Sequence, residues 1–233
     1  MVEEDFVWAA QLMEERRERY AKLSPVFWRP ATGVADAHRQ FMRATAGRDG
    51  AVAIRTDHGF LLSTPQDRRC VVDDFAVDAD HRWETDGRAL LRAAWEQARS
   101  PDQPVLRAVT ARGDEPKREL LAGLGLVVTA RWWVKELAPT SRAEWGPVVL
   151  DGVEAVLVPA PPVYDPGGPV CLLGDVEPAR AARAATAAAR RGAVLAIVQR
   201  DRSPSAAPEA EPELEAAGFH NPSEFYEGVP ARP

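Results

Sequence analysis

Two carboxylates and one glycine-bearing turn are the residues whose chemistry stands out. Asp73 and Asp74 interrupt the apolar, β-branched run Cys70 to Val77. A carboxylate buried in such a run is costly unless it is paired or hydrogen-bonded, so two in one strand need a reason. Strand alternation predicts that they project to opposite faces. An ionised carboxylate at such a place can accept a proton or hold a cation. The polar turn Asp78 to Asp86 follows, and Gly87 opens a helix bearing Leu90, Leu91, Ala94, Trp95 and Ala98 on one stripe. A strand that enters a helix through a tight turn leaves free backbone N–H groups, which with the helix dipole form an anion site. Arg82, Thr85, Asp86, Gly87 and Arg88 are the candidates there. Thr85 and Asp86 are also good N-capping types, and Arg82 and Arg88 offset the charge of Glu84 and Asp86.

The elements around this unit read as an alternation of helices and strands. Asp5 to Lys22 predicts a helix with Val7, Trp8, Leu12, Met13 and Tyr20 on its apolar side and the block Glu14 to Arg19 facing water. Ser24-Pro25 ends it, and Val26 to Pro30 reads as extended. A second helix spans Val34 to Thr45. Ala51 to Arg55 and Gly59 to Ser63 flank Thr56-Asp57-His58 as a hairpin. After the central helix come a loop at Pro101 to Pro104, a strand at Val105 to Ala111, a helix at Glu115 to Leu124 capped by Gly125, and a strand at Leu126 to Leu137.

Past a linker, Pro139 to Gly146, the pattern returns. Val153 to Val158 predicts a strand and Asp165 to Gly168 a turn. Cys171-Leu172-Leu173 then echoes Cys70-Val71-Val72. The helix Pro178 to Arg191 echoes the one at Gly87, and Val194 to Gln199 echoes Val105 to Thr110. Glu213 to Phe219 echoes Glu119 to Leu126. Phe225-Tyr226 and Trp132-Trp133 stand at the same offset from Gly218 and Gly125. This predicts a half-length second copy without the anion turn, because Asp175-Val176-Glu177-Pro178 runs straight into its helix. Arg200 to Pro212 reads as a surface loop.

Composition bounds the function. The 233 residues carry a net charge of −6, which disfavours nucleic acid as a partner. No apolar run is long enough to predict a membrane span, and the acidic start M-V-E-E-D lacks the form of a signal peptide. Two cysteines in strand-like runs read as buried thiols of a reducing, cytoplasmic compartment. The four histidines have no metal-ligand spacing, so no metal is expected.

The turn Arg82-Trp83-Glu84-Thr85-Asp86-Gly87-Arg88-Ala89-Leu90-Leu91, set between strand and helix, resembles the coenzyme A signature Arg-x-x-Gly-x-Gly/Ala of the GNAT acyltransferase superfamily. Thr85 stands in place of the first glycine. The resemblance covers roughly Asp5 to Leu137. It implies an α/β fold with a mixed, mostly antiparallel sheet flanked by helices. The organisation expected is a GNAT-like domain at 1–140 and a degenerate GNAT-like half at 144–233. It implies acetyl- or acyl-coenzyme A as co-substrate and a small-molecule or protein amine as acceptor, with the chain a monomer or a homodimer. The backbone of Phe75, Ala76 and Val77 would hold the thioester, and Lys117 would face the coenzyme phosphates. Asp74 is the preferred base, with Asp73 the second candidate. Many members carry a tyrosine acid where this chain has Leu121. The runner-up reading is a non-catalytic relative that binds acyl-coenzyme A or a protein partner.

Overall fold

The computed structural model describes residues 1–97, 105–201 and 210–230. The expected loop at Pro101 to Pro104, Ala98, and most of the expected loop Arg200 to Pro212 lie outside the described residues. Two helices open the chain, α1 (Glu3–Leu23) and α2 (Val34–Ala46). Strands β1 (Val52–Arg55), β2 (Gly59–Gln66) and β3 (Arg69–Val77) follow, then α3 (Arg88–Gln97), β4 (Val105–Ala111), α4 (Glu115–Gly123) and β5 (Val127–Glu136). The second half runs β6 (Gly146–Leu150), β7 (Val153–Val158), β8 (Val170–Leu172), α5 (Pro178–Ala189), β9 (Leu195–Asp201), α6 (Ala210–Ala216) and β10 (His220–Gly228). Each half thus reads β-β-β-α-β-α-β. The chain has the expected mixed, mostly antiparallel architecture with flanking helices: β3–β4 and β8–β9 are parallel, while β1–β2, β2–β3, β5–β9, β6–β7 and β7–β8 are antiparallel.

Two segments depart from expectation. Val26 to Pro30 is not extended: Trp28 N–H donates to the Ser24 carbonyl at 2.9 Å, a helical turn, and Pro30 makes only an isolated bridge to Tyr164. Strand β6 was hidden by Pro147, which reads as a strand breaker. The strand lies at the end of its sheet order, where a missing N–H is tolerated.

Contact within the chain defines two compact units that are discontinuous in sequence. Unit 1 is Met1–Arg19, Gly33–Val128 and Phe225–Pro233; unit 2 is Tyr20–Thr32 and Thr129–Glu224. The strand order is β1-β2-β3-β4-β10 in unit 1 and β6-β7-β8-β9-β5 in unit 2. These are equivalent orders, with the last strand of each half serving as the fifth strand of the other unit. A linear division at 140–144 therefore does not coincide with the compact units. Gly125 and Gly218 end α4 and α6 with the same backbone angle, φ +82°, a left-handed conformation that favours glycine.

Unit 1 has a core on each side of β3. Val72, Phe75, Val77, Trp83, Leu91 and Leu120 pack on the α3/α4 side, and Phe6, Ala9, Met42, Phe60, Leu62 and Ala76 on the α1/α2 side. Unit 2 packs Cys171, Ala196 and Val198 against Ala184 and Ala185 of α5. A fragment ending at Thr140 keeps β4 but lacks its neighbour β10, and with it the ion pairs from Glu227 to Arg107 and Arg69 at 2.8 and 3.2 Å. Its open β4 edge is an association hazard. We expect this fragment to aggregate; a soluble fragment that melts cooperatively by circular dichroism would contradict the topology.

Candidate functional site

The candidate site is built where β3 leaves β4. Their parallel pairing runs from Arg69–Val105 to Val72–Ala108 and stops there. On the other edge of β3 the register jumps: Leu62 faces Asp74 and Ser63 faces Val72, so Asp73 is an extra residue, a bulge. The bulge overturns the expected alternation. Val72 packs on the α3/α4 side and so do Phe75 and Val77, leaving both Asp73 and Asp74 on the α1/α2 side. Thr64 donates its hydroxyl to Asp73 at 2.9 Å. Burial pushes the Asp73 carboxyl above its ordinary value, and the neighbouring Asp74 adds to this against the Thr64 hydrogen bond and Arg48.

Asp74 is held in a chain of buried groups. His38 Nε2 lies 2.8 Å from its Oδ2, and Arg17 Nη1 lies 2.6 Å from His38 Nδ1. Arginine only donates, so Nδ1 accepts and Nε2–H donates to the carboxylate. Arg17, His38 and Asp74 are 1%, 2% and 6% exposed, which sets them as a link between α1, α2 and β3 rather than a group open to an acceptor.

Beyond Val72–Ala108, backbone carbonyls that would otherwise join the ladder need other donors. Arg16 Nη1 donates to the Phe75 carbonyl and its Nη2 pairs with Asp114 at 2.7 Å. Lys117 Nζ donates to the Val109 carbonyl at 2.9 Å. Trp83 fills the space between: it meets the Phe75 ring edge-on at 4.9 Å, with the Arg16 guanidinium 5.2 Å and Lys117 Nζ 5.8 Å from its ring centre. Lys117 is buried within this cluster, away from any diphosphate. Burial, with the positive Arg16 beside it, holds its ammonium well below the usual lysine value, against the pull of Asp114 and Asp74.

The turn after β3 is helical throughout. A 3₁₀ turn at Asp80–Arg82 and a π turn at Trp83–Gly87 lead directly into α3. The N–H of Arg88 is already bonded to the carbonyls of Thr85 and Trp83, and neither Thr85 nor Asp86 caps the helix. Thr85 instead donates to Asp86 at 3.1 Å. Burial pushes Asp86 up, but hydrogen bonds from Thr56 and Thr85 and the charges of His58 and Arg82 outweigh it, so its carboxyl sits below the usual range. Arg88 pairs with Glu84 at 2.6 Å and Arg82 with Asp86 at 3.8 Å, so the stretch Arg82–Arg88 carries no net charge. A Cβ on Gly87 would come within 2.8 Å of Trp83 and 3.0 Å of Leu120, so the missing side chain makes room for the core. Three features count against a fit to the diphosphate of coenzyme A: Arg82 and Arg88 are paired with Asp86 and Glu84, the N–H of Arg88 is bonded, and the space beside Gly87 is taken from inside.

The structure places Phe75 and Lys117 on the α3/α4 side of β3 and Asp73 and Asp74 on the α1/α2 side, and leaves Arg82, Thr85, Asp86 and Arg88 on the surface of the turn. Ala76 packs on the α1/α2 side with Phe60. Reading the sequence missed Arg16, Arg17, His38, Trp83 and Asp114. A signal existed: Met13, Arg17 and Tyr20 share one helical face, and Val34, His38 and Met42 another. Among the described residues no group of three or more side chains could hold a metal ion, and no helix is long and apolar enough to cross a membrane.

Gly87→Val should destabilise the chain by about 1–3 kcal/mol in urea unfolding, as overpacking does, whether or not any coenzyme is present. An unchanged midpoint would mean that Trp83 is not fixed against the turn. Lys117→Met tests the buried amine through pH. Because the folded-state value is lowered, wild-type stability rises with pH until the ordinary value of 10.5 is reached. The stability difference, Lys117→Met minus wild type, should therefore fall as pH rises toward that value. A difference that does not change with pH would contradict the burial of the ammonium.

No protein-family description matches the sequence, and no curated protein matches it either. Solved structures do. A protein assigned as an acetyltransferase from Thermoplasma acidophilum superposes with a TM-score of 0.54 at 12% identity, over 91% of this chain and 89% of that one. A GCN5-related N-acetyltransferase from Sphaerobacter thermophilus gives 0.48 at 14% identity, over 84% and 87%. A tandem GNAT protein from the clavulanic acid biosynthesis pathway gives 0.42 at 14% identity, over 80% and 86%. The first of these carries the comparison: the chain shares its fold with that protein.

Proposed function

We propose that this chain is a GNAT-fold binding protein that does not transfer acyl groups from coenzyme A. The observation that carries the reading is the self-paired turn, in which Arg88–Glu84 and Arg82–Asp86 consume the charges that a diphosphate would need. Trp83, Arg16 and Lys117 fill the divergence of β3 from β4 in the same sense. The chain is read as cytoplasmic: both thiols are buried, and burial pushes Cys171 up to about 12, where it does not exchange at neutral pH.

The second reading is an acyl-coenzyme A-dependent N-acyltransferase acting on an amine. The divergence of β3 from β4 after Val72–Ala108, with a bulge that brings two carboxylates to one face, favours it. Calorimetric titration of the full chain with acetyl-coenzyme A, followed by an amine panel scored for released thiol, decides between them. We expect no saturable heat and no thiol above the blank. Arg16→Ala, which frees the Phe75 carbonyl, should not restore either signal. Saturable binding together with thiol release from any amine would establish the acyltransferase reading instead.

A further inference from the structure

Unit 2 carries an open sheet face that unit 1 lacks. The pairings Pro147–Val156, Val156–Leu172 and Leu172–Ile197 place these residues on one face of the sheet, and Trp132–Gln199 belongs to the same face. Helix α5 covers the opposite face. In unit 1 the equivalent face is packed by α1 and α2, for which the second half has no counterpart among the described residues. Val149, Val156 and Leu172 are accordingly 67%, 38% and 39% exposed.

Two adjoining cavities open on this face and share Leu172 and Gly174. One, of about 600 Å³, lies over β6, β7 and β8. The other, of about 320 Å³, lies at the carboxyl ends of β8 and β9 beside Trp132. Both volumes fall in the range of small-molecule sites, and the carboxyl end of a parallel pair is where open sheets bind ligands. The floor is aliphatic. Phe27 meets Trp132 edge-on at 6.0 Å and steadies its ring. Trp132 Nε1 donates to Gln199 at 3.2 Å, and Gln199 donates to Asp201 at 3.0 Å.

Among the described residues, the charged groups that line the cavities are acidic: Glu154 in the larger, Asp175 and Asp201 in the smaller. The nearby cation, Arg200, is held by Asp175 at 2.6 Å and the Val176 carbonyl at 3.2 Å. An aliphatic floor, an indole ring and carboxylates at one end suit an ammonium head on an apolar body, through charge and cation–π attraction, and repel an anion of the same shape. We propose that this face binds an organic ammonium with an alkyl or arylalkyl arm. The proposal goes beyond the reading of unit 1: acetyl-coenzyme A titration reports on the Arg82–Arg88 turn, so either can fail while the other stands.

The test is calorimetry of the full chain at neutral pH with octylammonium, octanoate and octanol as probes. Octylammonium should bind saturably at one site, and octanoate about tenfold or more weakly, because like charges are opposed. Leu172→Arg, checked for folding by its thermal melt, should abolish octylammonium binding. Asp201→Asn should weaken it about threefold, the scale of one exposed charge pair. Equal binding of octanoate and octylammonium, retention of binding in Leu172→Arg, or the absence of saturable heat would each overturn the proposal.

Discussion

The backbone of β3 and β4 sets the constraint on which unit 1 depends. Where the two strands stop pairing, the carbonyls of Phe75 and Val109 lie among buried residues and must find donors, because an unmade buried hydrogen bond costs about 1–3 kcal/mol. The chain meets this need with two cations, Arg16 and Lys117. Burying two positive charges is itself costly, and the structure offsets it with Asp114 and with the faces of Phe75 and Trp83. Trp83 must then sit deep, which draws the following turn inward. Gly87 is required there because Trp83 and Leu120 occupy the place of its side chain. One satisfaction problem thus determines the shape of a turn that the residue pattern alone assigns to a ligand.

Exchange of the fifth strand is the second organising feature. Phe225–Gly228 lies beside β4 in unit 1, while β5 from Thr129 onward lies beside β9 in unit 2. Glu227 anchors the first of these through Arg107 and Arg69, and Arg107 also stacks 4.8 Å from the Phe225 ring. A sheet whose fifth strand comes from the other half of the sequence relies on contacts of high sequence separation, a topology that folds slowly. Unit 1 therefore reaches its full strand set only once β10 has been made.

Much of the fold was legible because it is carried by local signals. The hairpin at Thr56–His58, the strand Cys70–Val77, the caps Gly125 and Gly218, and the repeat all follow from side-chain period and turn chemistry. The site was less legible because its key residues disguise themselves. Arg16 and Arg17 sit within a run of charges that reads as a wet helix face, and only their spacing from Met13 and Tyr20 marks them as inward. The direction of Asp73 and Asp74 depends on a bulge, and one extra residue in a strand reverses every face assignment after it. Strand exchange was invisible because β5 and β10 have the same pattern whichever unit they complete.

The same face of the two units has been put to opposite use. In unit 1 it is packed by α1 and α2, and both carboxylates that reach it are answered: Asp73 by Thr64, and Asp74 by His38, which Arg17 holds in turn. A face so satisfied has little capacity left for a ligand, since any guest must displace bonds that are already made. In unit 2, among the described residues, no helix pair from the second half overlies the face, its aliphatic residues meet solvent, and a polar relay runs from Trp132 through Gln199 to the Asp201 carboxylate. Exposed apolar surface bounded by charge is where binding free energy is still to be gained. At this face unit 1 is thus the more fully satisfied and unit 2 the more open.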